Sequence, residues 1–161
     1  MTSRRTFIKT SFLTLALCVF SKGRLYASIT PLETISLLQE DLFPLIKQLQ
    51  SNSALYMVTM LNHSYISNND KQFIRNGVKW LNEESINYYY KTFTKLSFDE
   101  RYVLLQTVSK EKWGEKFIFM MLSLIMESVL GDPIYNINHN QQGWQWLGHE
   151  TGYPQPKEAF L

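Results

Sequence analysis

The chain has 161 residues, 45% of them apolar and 14% aromatic, which points to one globular domain and excludes a disordered chain. Its formal charge of +2 hides an asymmetry. Arg4, Arg5, Lys9, Lys22 and Arg24 precede Ser28 and no acid does, so the remainder, with 11 basic and 14 acidic residues, stands near −3. A nucleic-acid partner would need a basic face, and none is expected here.

Ser3-Arg4-Arg5-Thr6-Phe7-Ile8-Lys9 stands just before an apolar run from Phe12 to Phe20. Paired arginines followed by Phe7, an aliphatic residue and a lysine have the layout of a twin-arginine export signal, an address read by a receptor. The stretch resembles the S-R-R-x-F-L-K pattern of such signals, with Ile8 in place of Leu. That resemblance implies passage of an already folded protein through the twin-arginine translocase into the periplasm. The alternative is an ordinary secretory signal, which also begins with positive charge. A transmembrane helix needs about 20 apolar residues, so this shorter run reads as the hydrophobic part of a signal peptide. Ala27 before Ser28 meets half of a small-residue cleavage motif, because Leu25 is not small. Residues 1–27 are therefore expected to form the signal peptide, with an uncleaved leader acting as a tether as the other reading. Cys18, the only cysteine, lies in that leader, and Leu15 to Cys18 is a poor lipoprotein box. A cleaved product could form neither a disulfide nor a covalent c-type haem link.

Thr30, Pro31 and Glu33 form a capping signature, followed by Leu32, Ile35, Leu38, Leu42 and Leu45 or Ile46 at helical spacing. Pro44 should kink or restart that helix. A second helix is expected over 53–66, with Leu55, Val58 or Thr59, Leu61 or Asn62, and Tyr65 on one side. After the polar break Ser67 to Asp70, a longer helix is expected to about Lys95, with Phe73, Ile74, Val78, Leu81 and Ile86 inward. Ser97 and Glu100 make a capping box ahead of a short helix with Tyr102, Leu104, Leu105 and Val108 facing inward. Trp113 to Leu130 is the most apolar stretch, broken by Lys116, Ser123, Glu127 and Ser128, and reads as a central packed helix. Gly131 and Pro133 should end it.

From Gly131 the helical period is lost and turn formers mix with large aromatics. No stretch alternates with a period of two. The expectation is an all-α protein of about five helices over 28–130, with an extended irregular C-terminal arm over 131–161 that docks on a partner. Trp80 and Trp113 suit helix faces. Trp144 and Trp146 flank Gln145 in an expected loop, where a surface role fits, since Trp is enriched among interface anchors.

Catalytic patterns are sparse. His63 lacks a second ligand at three or four positions, and His139 and His149 lie in the irregular tail. Glu83-Glu84, Asp99-Glu100 and Glu111/Glu115 read as caps or solvated faces. No glycine-rich phosphate loop and no nucleophile elbow is present. The Met- and Phe-rich run over 117–126 reads as core. No catalytic, cofactor or metal residue is assigned.

Gly131-Asp132-Pro133-Ile134-Tyr135, Asn138, Gly143-Trp144, Leu147-Gly148 and Gly152-Tyr153-Pro154 resemble the closing motif of the gluconate 2-dehydrogenase subunit 3 family. That pattern runs approximately D-P-x-Y-G-G-N, a spacer, G-W, an aliphatic-Gly pair and Tyr/Phe-Pro. Leu96 to Leu105 and the twin-arginine leader are similar to that family too. Two departures stand out: Asn136-Ile137-Asn138 replaces the Gly-Gly-Asn turn, and His149-Glu150-Thr151 lengthens the last link. Ile is costly in a left-handed turn position, which puts the turn geometry in question.

The resemblance implies a non-catalytic small subunit of a periplasmic dehydrogenase at the outer face of the inner membrane. Its large partner would be an FAD-dependent oxidoreductase of the glucose–methanol–choline type, with a multihaem cytochrome c as a third subunit. The substrate would be gluconate or a related sugar or polyol. Partner-docking residues carried over on this motif are Asp132, Pro133, Tyr135, Asn138, Gly143, Trp144, Trp146, Gly148, Tyr153 and Pro154. A second reading, an independent periplasmic binding or metal-dependent domain using His139 and His149, stays open at this point, as does a membrane-tethered structural protein.

Overall fold

Caps and apolar spacing agree along most of the chain, and helices form where they agree. The computed structural model describes residues 31–159; the leader, with Ser3 to Lys9 and the expected cap Thr30, lies outside them. Six α-helices follow one another: α1 over 31–42, α2 Ser53–Asn62, α3 Asn68–Tyr89, α4 Phe98–Val108, α5 Lys112–Leu130 and α6 Gln142–Leu147. No strand occurs among the described residues, as an all-α protein requires.

Pro44 does not kink α1. It opens a separate 3-10 turn, Pro44–Ile46, which buries Ile46. Helix α2 ends at Asn62 and does not reach Ile66, because His63 leaves helical geometry with ψ 145. Its ring stacks on Tyr65 at 5.1 Å and accepts the Tyr65 N–H at 3.3 Å, which fixes the loop that follows. The buried face of α2 is also rotated from the expected one: Met57 is fully buried and Leu55 is exposed, while Tyr65, beyond the end of the helix, is exposed as well.

Ser67 starts α3, accepting the Asp70 N–H at 3.1 Å while its hydroxyl donates to the Asp70 carboxylate at 2.7 Å. The helix stops at Tyr89, short of Lys95, where Tyr90 turns left-handed with φ 56. Two α3 side chains then draw the chain back. The Ser85 hydroxyl donates to the Lys91 carbonyl at 2.7 Å, and the Asn82 amide oxygen accepts the Phe93 N–H at 3.1 Å. Phe93 is thereby fully buried in the core. The Ser97–Glu100 capping box forms with both bonds present. In α4, Leu104, Leu105 and Val108 face inward, but Tyr102 is exposed. Two helical positions correspond to roughly 200°, so Tyr102 and Leu104 cannot share a face.

Helix α5 is the spine, and α2, α3 and α6 all pack on it. Phe117, Met121 and Leu124 join Leu38, Met57, Leu81, Phe93 and Leu104 in the main core. Ile125 and Val129, farther along the same helix, meet Ile46 and Leu49 in a second cluster. Trp80 and Trp113 are half-buried and meet edge to face at 5.4 Å. One polar tie spans the fold: Arg101 on α4 grips Asp41 on α1 through Nε at 2.6 Å and Nη2 at 3.0 Å, and its Nη1 donates to the Leu96 carbonyl at 2.8 Å.

Candidate functional site

The residues after α5 are not an extended arm. A 3-10 turn Pro133–Tyr135, a second one His139–Gln141, and α6 fold back on the end of α5; the longest stretch without regular structure after α5 is 148–159. Asp132 and Pro133 start the first turn as a cap and first helical residue, with the Asp132 carboxylate accepting the Ile134 N–H at 3.0 Å. Gly131 ends α5 with φ −67, not in the left-handed form. Glycine is needed there for space, since an added Cβ would lie 2.5 Å from Ile137 Cδ1 and 2.7 Å from the Glu127 carbonyl.

The Asn136-Ile137-Asn138 departure resolves simply. Asn136 and Asn138 take left-handed φ values of 58 and 48, which asparagine tolerates, and Ile137 between them does not. Ile137 is instead buried. Asn138, 1% exposed, is the knot of the segment. Its backbone N–H donates to the Ser128 carbonyl at 3.1 Å and its amide to the Gly131 carbonyl at 3.1 Å. Its amide oxygen accepts the Gly143 N–H at 2.7 Å. Gly143 lies against the Val129 carbonyl with no room for a Cβ. Trp144 then donates its indole N–H to the Leu130 carbonyl at 2.6 Å. With its amide oriented to donate, Gln142 reaches the carbonyls of Gln48 at 3.2 Å and Leu49 at 3.1 Å.

The motif residues therefore divide. Asp132, Pro133, Asn138, Gly143 and Trp144 take part in this internal closure, Asp132 and Pro133 while half-buried. Trp144 is buried on a helix, not exposed in a loop as expected. Trp146 is 46% exposed and meets Phe43 edge to face at 5.7 Å. Gly148 ends α6 in left-handed form, and Tyr153 and Pro154 stand exposed beyond it. His149 sits edge-on to the Trp144 ring at 5.9 Å, and His139 is exposed. Among the described residues no group of three or more His, Cys, Asp or Glu is placed to hold a metal, and no helix is long and apolar enough to cross a membrane.

Folding the segment back creates a groove of about 580 Å³ between α2 and the first turn after α5. Leu55, Tyr56, Thr59 and Met60 line one side, and Ile134, Tyr135 and Ile137 the other. Glu127 and Asp132 stand at the groove, and Ala159 returns to it from the tail. Its size falls in the range of ligand-sized clefts, about 300–1,000 Å³. Tyr56 donates to the Glu127 carboxylate at 3.0 Å. Burial first, then the charge of Glu127 and the hydrogen bond to it, push the Tyr56 hydroxyl from 10.0 up to about 12. Held protonated, it serves as a donor and not as a base. The groove suits recognition of apolar groups beside a polar rim. Sequence reasoning missed it because its two walls lie far apart in the chain and its α2 wall includes Leu55 and Thr59, on the face expected to be buried.

A sequence model of the family described as Gluconate 2-dehydrogenase subunit 3 matches residues 38–152, well over half of the chain. The match runs from the middle of α1 through the folded closing segment and stops before Tyr153. Neither the curated proteins nor the solved structures gave a significant match. On the strength of that match, and of a closing motif whose residues knot together at Asn138, this chain belongs to the gluconate 2-dehydrogenase subunit 3 family.

Proposed function

We propose that this chain is a non-catalytic accessory subunit of a gluconate 2-dehydrogenase-type complex. It carries the twin-arginine signal for a flavoprotein partner and assists that partner's assembly. Family membership over residues 38–152 is the observation that carries the reading. The Ser3 to Lys9 leader, outside the matched span, supplies the export part of it. In this reading FAD sits on a glucose–methanol–choline-type large subunit, c-type haem on a third subunit, and the complex works on the periplasmic side of the inner membrane.

The mechanism is physical tethering: a folded pair of chains crosses on one signal, so the partner needs none of its own. Trp146, Gly148, Tyr153 and Pro154 are the motif residues available for docking, presented by a segment that the Asn138 knot holds in place. Changing Arg4 and Arg5 together to Lys, followed by cell fractionation, tests the export role. The flavoprotein should accumulate in the cytoplasm, and its undiminished appearance in the periplasm would sink the proposal.

A further inference from the structure

Away from the groove, one corner of the molecule brings aromatic faces and carboxylates together. Trp80 on α3 and Trp113 on the first turn of α5 meet edge to face at 5.4 Å, and with Glu83 and Glu84 they line a cleft of about 200 Å³. The corner is built into the packing. Gly77 lets the Phe117 ring lie against α3, where any Cβ would collide with it, and that close approach sets the start of α5 beside Trp80. Glu83 and Glu84 stand three and four positions after Trp80, on one face of the helix. Both indoles and Glu84 are half-buried, and Glu83 is exposed. Lys79 pairs with Glu83 at 3.5 Å, and the ion pairs among the described residues do not include Glu84. Next along the same row of rings a cation is already held: Lys116 Nζ stands 4.6 Å from the centroid of Phe73, whose ring meets Trp80 at 6.0 Å.

We propose that this cleft binds the quaternary ammonium group of a small soluble cation. Indole faces attract such a group through their quadrupole, and the carboxylates beside them supply the balancing charge. A primary ammonium is strongly hydrated, and indole faces return none of the hydrogen bonds it would give up. A fully methylated nitrogen has none to lose. The cleft is smaller than the drug-sized range that begins at about 300 Å³, so a head group fits and the rest of the molecule stays outside. Lys79, Glu111, Lys112 and Glu115, which flank the indoles in sequence, are charged and exposed, so the cleft opens to water and no bilayer covers it. The site belongs to this chain alone and does not depend on the export and assembly reading.

Tetramethylammonium chloride, titrated at constant ionic strength into the full-length chain carrying isotope-labelled tryptophan, provides the test by nuclear magnetic resonance. The indole N–H signals of Trp80 and Trp113 should shift saturably, while those of Trp144 and Trp146 stay in place. A neutral molecule of nearly the same shape, tert-butanol, should shift them only at about tenfold higher concentration. Glu84→Gln should weaken binding about threefold. Trp113→Leu should weaken it about tenfold. Should Trp113→Leu lose the parent's far-ultraviolet circular dichroism, Glu84→Gln alone decides. Sedimentation with phosphatidylcholine vesicles should leave the chain in the supernatant. Shifts that do not saturate, an equal response of all four indoles, equal binding of tert-butanol, or unchanged binding by Glu84→Gln overturns the proposal. So does sedimentation with the vesicles, which would assign the cleft to a lipid head group.

Discussion

The indole nitrogen of Trp144 donates to the carbonyl oxygen of Leu130 at 2.6 Å, tying α6 to the last turn of α5. That carbonyl belongs to the end of a helix, where no intrahelical donor remains. Trp144→Phe keeps the ring and removes the donor, and should cost about 1–3 kcal/mol by leaving the acceptor unpaired. Trp144→Ala removes the packing as well and should cost about 3–5 kcal/mol. Urea unfolding of the isolated chain measures both. Losses seen only in partner assembly, with unchanged unfolding midpoints, would mean that Trp144 is an interface residue after all.

Gly143 makes a sharper test of the same closure. An added Cβ meets the Val129 carbonyl, a backbone atom that cannot rotate away, whereas a Cβ on Gly152 meets nothing within 4 Å. Gly143→Ala should therefore cost about 1–3 kcal/mol or more. Gly152→Ala should stay within about 0.5 kcal/mol of the parent. Equal behaviour of the two variants would contradict the close packing of α6 on α5.

The Arg101–Asp41 pair is largely removed from solvent, with side-chain exposures of 12% and 7%. Either Arg101→Met or Asp41→Asn leaves an uncompensated partner and should cost about 3–5 kcal/mol. The double variant should cost clearly less than the sum, and its unfolding free energy measures that coupling. Because solvent is excluded, added salt should change the pair's contribution little. Additive losses would show that the two residues act separately.

Tyr56 gives the fold a dependence on alkaline pH. The folded chain holds this proton up to about 12, and the unfolded chain releases it near 10.0. The stability it contributes is complete below 10, declines as pH rises, and is gone above about 12. Tyr56→Phe should flatten that decline, as read from unfolding midpoints across the same range. An identical pH profile in the variant would contradict the Tyr56–Glu127 contact.

Much of the fold was legible because its signals were local. The Ser97–Glu100 box, the apolar run of α5 and the Pro44 break all depend on residues within a few positions of each other. What escaped depended on residues brought together from afar. The end of α3 is decided by Asn82 reaching Phe93, and the exposed faces of Leu55 and Tyr102 by where α2 and α4 sit on the core. The closing segment misled for a related reason. Its asparagines and aromatics look like a docking surface in sequence, but Asn138 and Trp144 find their partners on α5. Family membership was legible in those same residues, because a knot of this kind requires specific ones.

The accessory role is tested most directly by purifying whatever binds an affinity-tagged form of this chain and measuring FAD content and gluconate-dependent dye reduction. The account predicts that both stay with a co-purifying large subunit and that the separated small chain shows neither. FAD or gluconate oxidation travelling with the separated small chain would contradict it.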